Sequence, residues 1–223
     1  MTNHSLEAVT RDMLIDAALK AVTEKGYTYK RRPGRGLSNT YELTKDKVTK
    51  IACVRTTKDR AIAFVPQEGG KRWKTLSDSD LVLVSAIDSR EQPRFIAVHL
   101  FDATEVTQRF DTSHKVRIKN GHKVEDDYGM WVPLDKADDT VPSQAGHGLA
   151  ADFPPIANYN IDDLLEDGDA GEALAEEVVH TPDAARAFDL KTVAEVLTFS
   201  REKIAVLTGM PIEGIKLDLK MGM

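Results

Sequence analysis

The sequence predicts an α+β domain: a mixed central β-sheet with flanking helices. Three observations carry that expectation. Residues 81–87 and 95–101 form two nearly continuous apolar runs, too short to span a bilayer and suited to strands buried on both faces. Shorter segments ahead of them alternate apolar and polar residues, the strand period. Stripes at three- and four-residue spacing precede and follow the strands, the helix period.

The elements follow in order. Ser5 is a capping residue for a helix expected to run to about Lys25, with Leu6, Val9, Met13, Leu14, Ala17, Ala18 and Ala21 in its stripe and Gly26 as its stop. Pro33, Gly34 and Gly36 make 30–38 a loop. Tyr41 and Leu43 mark a strand, 45–47 a turn, and 48–55 a second strand with Ile51 and Cys53 on one side. Thr57, Lys58 and Asp59 turn the chain into a third strand over 60–65, ended by Pro66 and the Gly69-Gly70 pair. After the two buried strands, Asp102 and Glu105 have the spacing of a capping box, with Val106 and Phe110 behind them.

Beyond His114 the pattern weakens. Residues 115–131 read as a short helix and a strand, and 132–161, with Pro133, Pro142, Pro154 and Pro155, as an ordered arm or a linker. Thr192 and Glu195 open a last helix, and Ile215, Leu217 and Leu219 alternate with charges as a terminal strand. The expected division is a mixed αβ core over 1–113, a loop-rich acidic arm over 114–190, and a helix–strand docking unit over 191–223. A lone helix–strand pair cannot bury its own face, so the last unit is expected to dock on the core, a partner protein or a second copy of the chain.

Composition narrows the class. The chain has 223 residues, 41% hydrophobic and 30% charged, with no apolar run long enough for a membrane span. Its first residues lack a basic region followed by an apolar run. A single cysteine, Cys53, forms no internal disulfide, which fits a reducing compartment. A soluble, cytoplasmic, bacterial-type protein is the expectation. The net charge of −6 is uneven: about +7 over residues 1–120 and about −13 over 121–223. The acidic half peaks at 162–169. The basic half opens with Tyr27, Tyr29, Lys30, Arg31, Arg32 and Arg35, a basic run with aromatic neighbours suited to phosphate and base contact.

Other chemistry is sparse. The histidines lack metal-ligand spacing and there is no second cysteine, so neither a structural zinc site nor any other resident metal is expected. No phosphate loop and no Gly-x-Ser-x-Gly elbow occurs. Asp78, Asp80 and Asp88 flank the buried run at 81–87, where both turn residues and strand-end active-site acids are found. His99 reads as a buried, hydrogen-bonded core histidine, and Trp73 and Trp131 as half-buried core or as binding aromatics.

Val54-Arg55-Thr56-Thr57, together with Glu42 on the preceding strand, resembles the core of PD-(D/E)XK nucleases and Holliday-junction-resolvase-like domains over about residues 5–113. In that fold a helix precedes a three-stranded meander with an acid on the second strand and Glu/Gln-x-Lys on the third, and an apolar strand and a helix follow. The resemblance implies Mg²⁺ held by two carboxylates and a lysine that activates water. Here the second acidic position is Cys53 and the lysine position is Arg55. A thiol is a poor ligand for a hard cation, and Arg stays protonated. The implied domain is a degenerate, non-catalytic one that binds DNA or a DNA-processing partner, with no cofactor, and with Mg²⁺ only if the domain is active. Lys30, Arg31, Arg32, Arg35, Arg55, Lys58 and Arg60 are its expected phosphate contacts. The alternatives are an interaction or homo-oligomer assembly module acting through the C-terminal unit, and an enzyme built on Glu42, Asp59 and Asp80.

Overall fold

The computed structural model describes residues 6–33, 39–138 and 140–170. By internal contacts the chain divides into a unit over 1–174 and one over 175–223. The expected helix–strand unit at 191–223 lies outside the described residues, as does Arg35.

The fold is α+β. Helix α1 (Arg11–Glu24) begins after Thr10, not at Ser5. Thr10 is extended and its Oγ1 accepts a hydrogen bond from the Met13 amide at 3.1 Å, satisfying a donor the helix cannot. Leu6 and Val9 still pack on the core from the turn before it. Strands β1 (Thr28–Arg31), β2 (Thr40–Lys45) and β3 (Val48–Thr57) follow as an antiparallel meander. Asp46 and Lys47, both at positive φ, form the tight β2–β3 turn. Strand β1 corrects the loop expected over 30–38. All four of its residues are exposed, so it carries no apolar alternation to read.

The chain then leaves the sheet. Arg60, at φ 51°, turns it into β4 (Ala61–Phe64), and two short strands, β5 (Pro66–Gln67) and β6 (Arg72–Trp73), pair with each other. Strand β4 is therefore not a third hairpin strand beside β3. It pairs antiparallel with β9 (Met130–Pro133), because Ile62 and Phe64 bury beneath the sheet rather than beside it. Strand β7 (Leu81–Ile87) re-enters the sheet parallel to β3, and β8 (Phe95–Asp102) returns antiparallel. Every residue of β7 is buried, as its continuous apolar run requires.

Helix α2 (Ala103–Lys119) crosses the boundary expected at 113. Asp102 is its N-cap residue, but its side chain makes no capping bond. The Pro-rich stretch is ordered: it holds β9, the short helix α3 (Leu149–Asp152) and β10 (Ala157–Asn160), which adds to the edge of β8. Helix α4 (Ile161–Ala170) anchors through buried Ile161. The sheet order is β1-β2-β3-β7-β8-β10.

Two cores sandwich this sheet. On one face Leu14, Ala17, Ala18, Ala21 and Val22 of α1 meet Leu43, Ala52, Val54, Leu83 and Val98. On the other, Cys53, Val82, Val84 and Phe101 meet α2 and the β4–β9 ribbon through Phe64, Val106, Phe110 and Val132. Phe110 stands edge-to-face with both Phe64 and Trp73 at 5.1 Å between ring centroids. Among the described residues no helix is long and apolar enough to cross a membrane.

Candidate nucleic-acid interface

Strand register fixes which side chains share a face. Lys30 opposes Glu42, Glu42 opposes Ile51, and Thr40 opposes Cys53. Side chains alternate along each strand, so Lys30, Arg32, Glu42, Cys53 and Arg55 project to the α2 side of the sheet, while Arg31 and Tyr29 project to the α1 side.

The β1–β3 end of the sheet is strongly basic. Residues 28–32 and 40–50 carry Lys30, Arg31, Arg32, Lys45, Lys47 and Lys50 against only Glu42 and Asp46. Lys30 and Arg31 are exposed on the outermost strand and Arg32 just past its end, and Tyr29 beside them is 48% exposed. Arg32 Nε lies 3.7 Å from Glu42 Oε1, with both side chains about 40% exposed, a weak and screened pair. Lys45 is held inward, donating to the Lys25 carbonyl at 2.8 Å beside the Tyr27 ring.

The other expected cations are engaged within the protein. Lys58 donates to the Leu6 carbonyl at 2.8 Å. Arg60 forks onto Asp135 and donates to the Ile87 carbonyl at 2.8 Å, so its assignment as a phosphate contact is corrected to a structural clasp. Arg55 is half-buried. Its Nε donates to the Ala63 carbonyl at 3.3 Å, its Nη1 to the Val54 carbonyl at 3.1 Å, and its guanidinium lies 4.3 Å from the Phe64 ring centroid. Burial lowers the Arg55 pKa, yet the group stays a cation.

The acids do not converge. Cys53 is fully buried among apolar side chains, and burial pushes its thiol up. Asp80 is spent on the backbone: its Oδ2 accepts from the Ile51 amide at 2.7 Å, while its own amide donates to the Ile51 carbonyl at 2.7 Å and its carbonyl accepts from Ala103 at 3.0 Å. Asp59 lies past the far end of β3 and pairs with Arg90. Glu42 sits beside Ile51, six residues from the end of β3, so it is about 20 Å from Asp59. No metal ion bridges that distance. The described residues hold no group of three or more His, Cys, Asp or Glu able to bind one. Among the described residues Glu42, Asp59 and Asp80 therefore form no three-acid group.

Two depressions border the basic strands. One, of about 290 Å³, is lined by Arg32, Thr40, Lys74, Thr75 and Asp78. The other, of about 390 Å³, lies past the end of β2, where β3 continues alone on that side, between Arg55, Lys58, Ala63 and Trp131. Sequence reading left Trp131 open between core and binding roles. It is 57% exposed because β9 buries Met130 and Val132 and turns the residue between them outward. The strand alternation of 130–133 was the signal. The chain matches no family model, no curated protein and no solved structure.

Proposed function

We infer that this is a non-catalytic, nuclease-like domain that binds DNA through the basic β1–β3 end of its sheet. The observation that carries the reading is the exposed outer strand with Lys30, Arg31 and Arg32 side by side. These cations present donors to solvent on both sides of the sheet edge, with a half-exposed tyrosine, Tyr29, just ahead of them. Arg forks suit phosphate oxygen pairs, and a half-exposed Tyr suits a sugar or a base. Part of the element order supports the nuclease resemblance: a helix, then a three-stranded meander with Glu42 on its second strand and Cys53-x-Arg55 on its third, and, after the short strands β4–β6, the apolar strands β7 and β8 and a helix. A buried thiol and a guanidinium bound to carbonyls stand where the chemistry needs a carboxylate and a lysine. The domain therefore holds DNA without cutting it.

The test is a fluorescence-anisotropy titration of the full chain with single- and double-stranded DNA at low and physiological salt, with Mg²⁺ present and the products resolved on a gel. Binding falls steeply with salt and the DNA stays intact. Replacing Lys30, Arg31 and Arg32 by Gln lowers the log–log salt slope by about two to three. Absence of binding at low salt, or cleavage, overturns the reading.

A further inference from the structure

We propose that the groove between Arg55 and Trp131 is a seat for one unpaired nucleotide, its phosphate on the Arg55 guanidinium and its base on the Trp131 indole. The inference rests on the DNA-binding reading for its biological ligand and on separate residues for its chemistry.

Arg55 supplies the first argument. A half-buried guanidinium normally faces a carboxylate, because leaving a charge in the interior without a counter-charge is costly. Arg55 has no carboxylate partner among the described residues. Its two hydrogen bonds go to backbone carbonyls and its flat face to Phe64. Two of its five N–H groups serve those carbonyls, and the residue lines a groove open to solvent. Asp59, the one acid on the groove wall, is taken by Arg90. The missing counter-charge is therefore expected from outside, as an anion with several oxygens.

Trp131 supplies the second. Its cross-strand neighbour is Ala63, whose small side chain leaves the indole unobstructed on the outer face of the β4–β9 ribbon. Gly129 leaves room for the indole, since an added Cβ there would lie 3.3 Å from the ring. An exposed indole and a guanidinium without a carboxylate partner, lining one groove, match a molecule with a planar ring at one end and an oxyanion at the other.

Register places this seat close to the basic strand. The Arg32 amide bonds to the Thr40 carbonyl, Thr40 opposes Cys53, and Arg55 lies two residues further on. The Arg32 and Arg55 backbones are thus on the order of 12 Å apart. A strand lying along Lys30–Arg32 reaches the groove within a few nucleotides. Only an unstacked base reaches the indole, so the seat favours single-stranded over duplex ends.

The experiment titrates the full chain with thymidine monophosphate, thymidine and inorganic phosphate, following tryptophan emission and calorimetry. Trp73 is 1% exposed and bonded to Asp111, so a quench reports Trp131. The nucleotide quenches saturably, and thymidine and phosphate bind at least about tenfold more weakly. Trp131→Ala removes the quench and weakens binding about tenfold, as loss of one stacked base does. Arg55→Gln erases the preference for nucleotide over nucleoside. If Arg55→Gln does not fold, the wild-type comparison of nucleotide with nucleoside decides alone. Equal binding of nucleotide and nucleoside, or no quench, overturns the proposal. So does tighter binding of a short peptide with an aromatic C-terminal residue. Replacing Lys30, Arg31 and Arg32 weakens DNA binding but leaves the mononucleotide quench unchanged. Failure of the basic strand and failure of the groove are therefore read separately.

Discussion

The Arg60 guanidinium forks onto Asp135, Nε to Oδ2 at 2.5 Å and Nη2 to Oδ1 at 2.6 Å, and its remaining arm holds the Ile87 carbonyl. One side chain thus ties the entry to β4 to the segment after β9 and to the end of β7. The paired carboxylate raises the Arg60 pKa further. Asp135 is about half exposed, so solvent screens the pair. Arg60→Ala is expected to lower stability by about 1–2 kcal/mol, mostly through the lost carbonyl and fork bonds. Urea unfolding checks this. DNA affinity is expected to stay within twofold of wild type, since these donors are already committed.

The sheet was legible in the sequence wherever burial imposes a pattern. The continuous runs at 81–87 and 95–101 became β7 and β8, and the alternation around Tyr41 and Leu43 became β2. Strand β1 was not legible because an exposed edge strand has no buried face to encode. Strand β10, with no fully buried residue, was hidden for the same reason. The proposed site was legible only as charge. The sequence shows Lys30, Arg31 and Arg32 as a basic run, but that Lys58 and Arg60 are engaged within the protein depends on partners 52 and 75 residues away, which no local pattern reports.

Gly146 is a position where glycine is required. It sits at φ +84°, and a Cβ there would lie 2.3 Å from the Arg109 carbonyl oxygen. That oxygen belongs to the backbone of α2 and cannot swing aside. Arg109 also fastens this loop to the helix, donating to the His147 carbonyl at 2.9 Å and to Asp152 at 2.7 Å. Gly146→Ala is expected to cost about 2–4 kcal/mol, combining the positive-φ penalty with the displaced loop. A drop in thermal midpoint with unchanged far-UV circular dichroism at low temperature is the expected signature. A change below about 0.5 kcal/mol contradicts the close approach.

His99 makes stability depend on pH. It is 2% exposed, its Nδ1 lies 3.1 Å from the Phe153 carbonyl, and its ring stacks on Phe101. Burial lowers its pKa below the ordinary 6.5, outweighing the Phe153 carbonyl, which raises it. The unfolded chain therefore takes up a proton before the folded one does as pH falls. This contribution to stability is intact above about pH 6.5 and is lost progressively below it, down to the depressed folded value. Urea midpoints between pH 5 and 8 check it. The fall on the acid side is expected to be shallower in His99→Gln, and an identical fall in both proteins removes His99 as its source.

Cys53 tests the proposed nuclease-like reading. Its thiol is fully buried between Ile62, Phe64 and Val82, so a thiol reagent is expected to label it only as fast as the chain opens. Cys53→Asp puts a carboxylate into that apolar contact and is expected to cost about 3–5 kcal/mol. Cys53→Asp with Arg55→Lys is expected to give no Mg²⁺-dependent cleavage, because the new carboxylate faces the core and Asp80 remains bound to Ile51. Cleavage by the double variant, read on a gel against each single variant, contradicts this account.

Thr75 offers the opposite sign. It is β-branched yet sits at φ 72° and ψ −43°, a region side chains rarely adopt. The geometry is imposed by neighbours. The Thr75 carbonyl accepts from Ser79 Oγ at 2.8 Å and from the Asp78 amide at 3.3 Å, while the preceding Lys74 amide bonds to Val65. Thr75→Gly keeps these backbone bonds and relieves the strained φ, at the expense of extra freedom in the unfolded chain. The expected net is a gain of about 0.5–1 kcal/mol, since a strained side chain at positive φ costs about 1–3 kcal/mol and the added freedom returns part of it. Thermal unfolding of Thr75→Gly beside Thr75→Ala decides the point. Alanine keeps the φ penalty, so only glycine raises the midpoint. A lower midpoint for glycine means that contacts of the threonine side chain outweigh the strain.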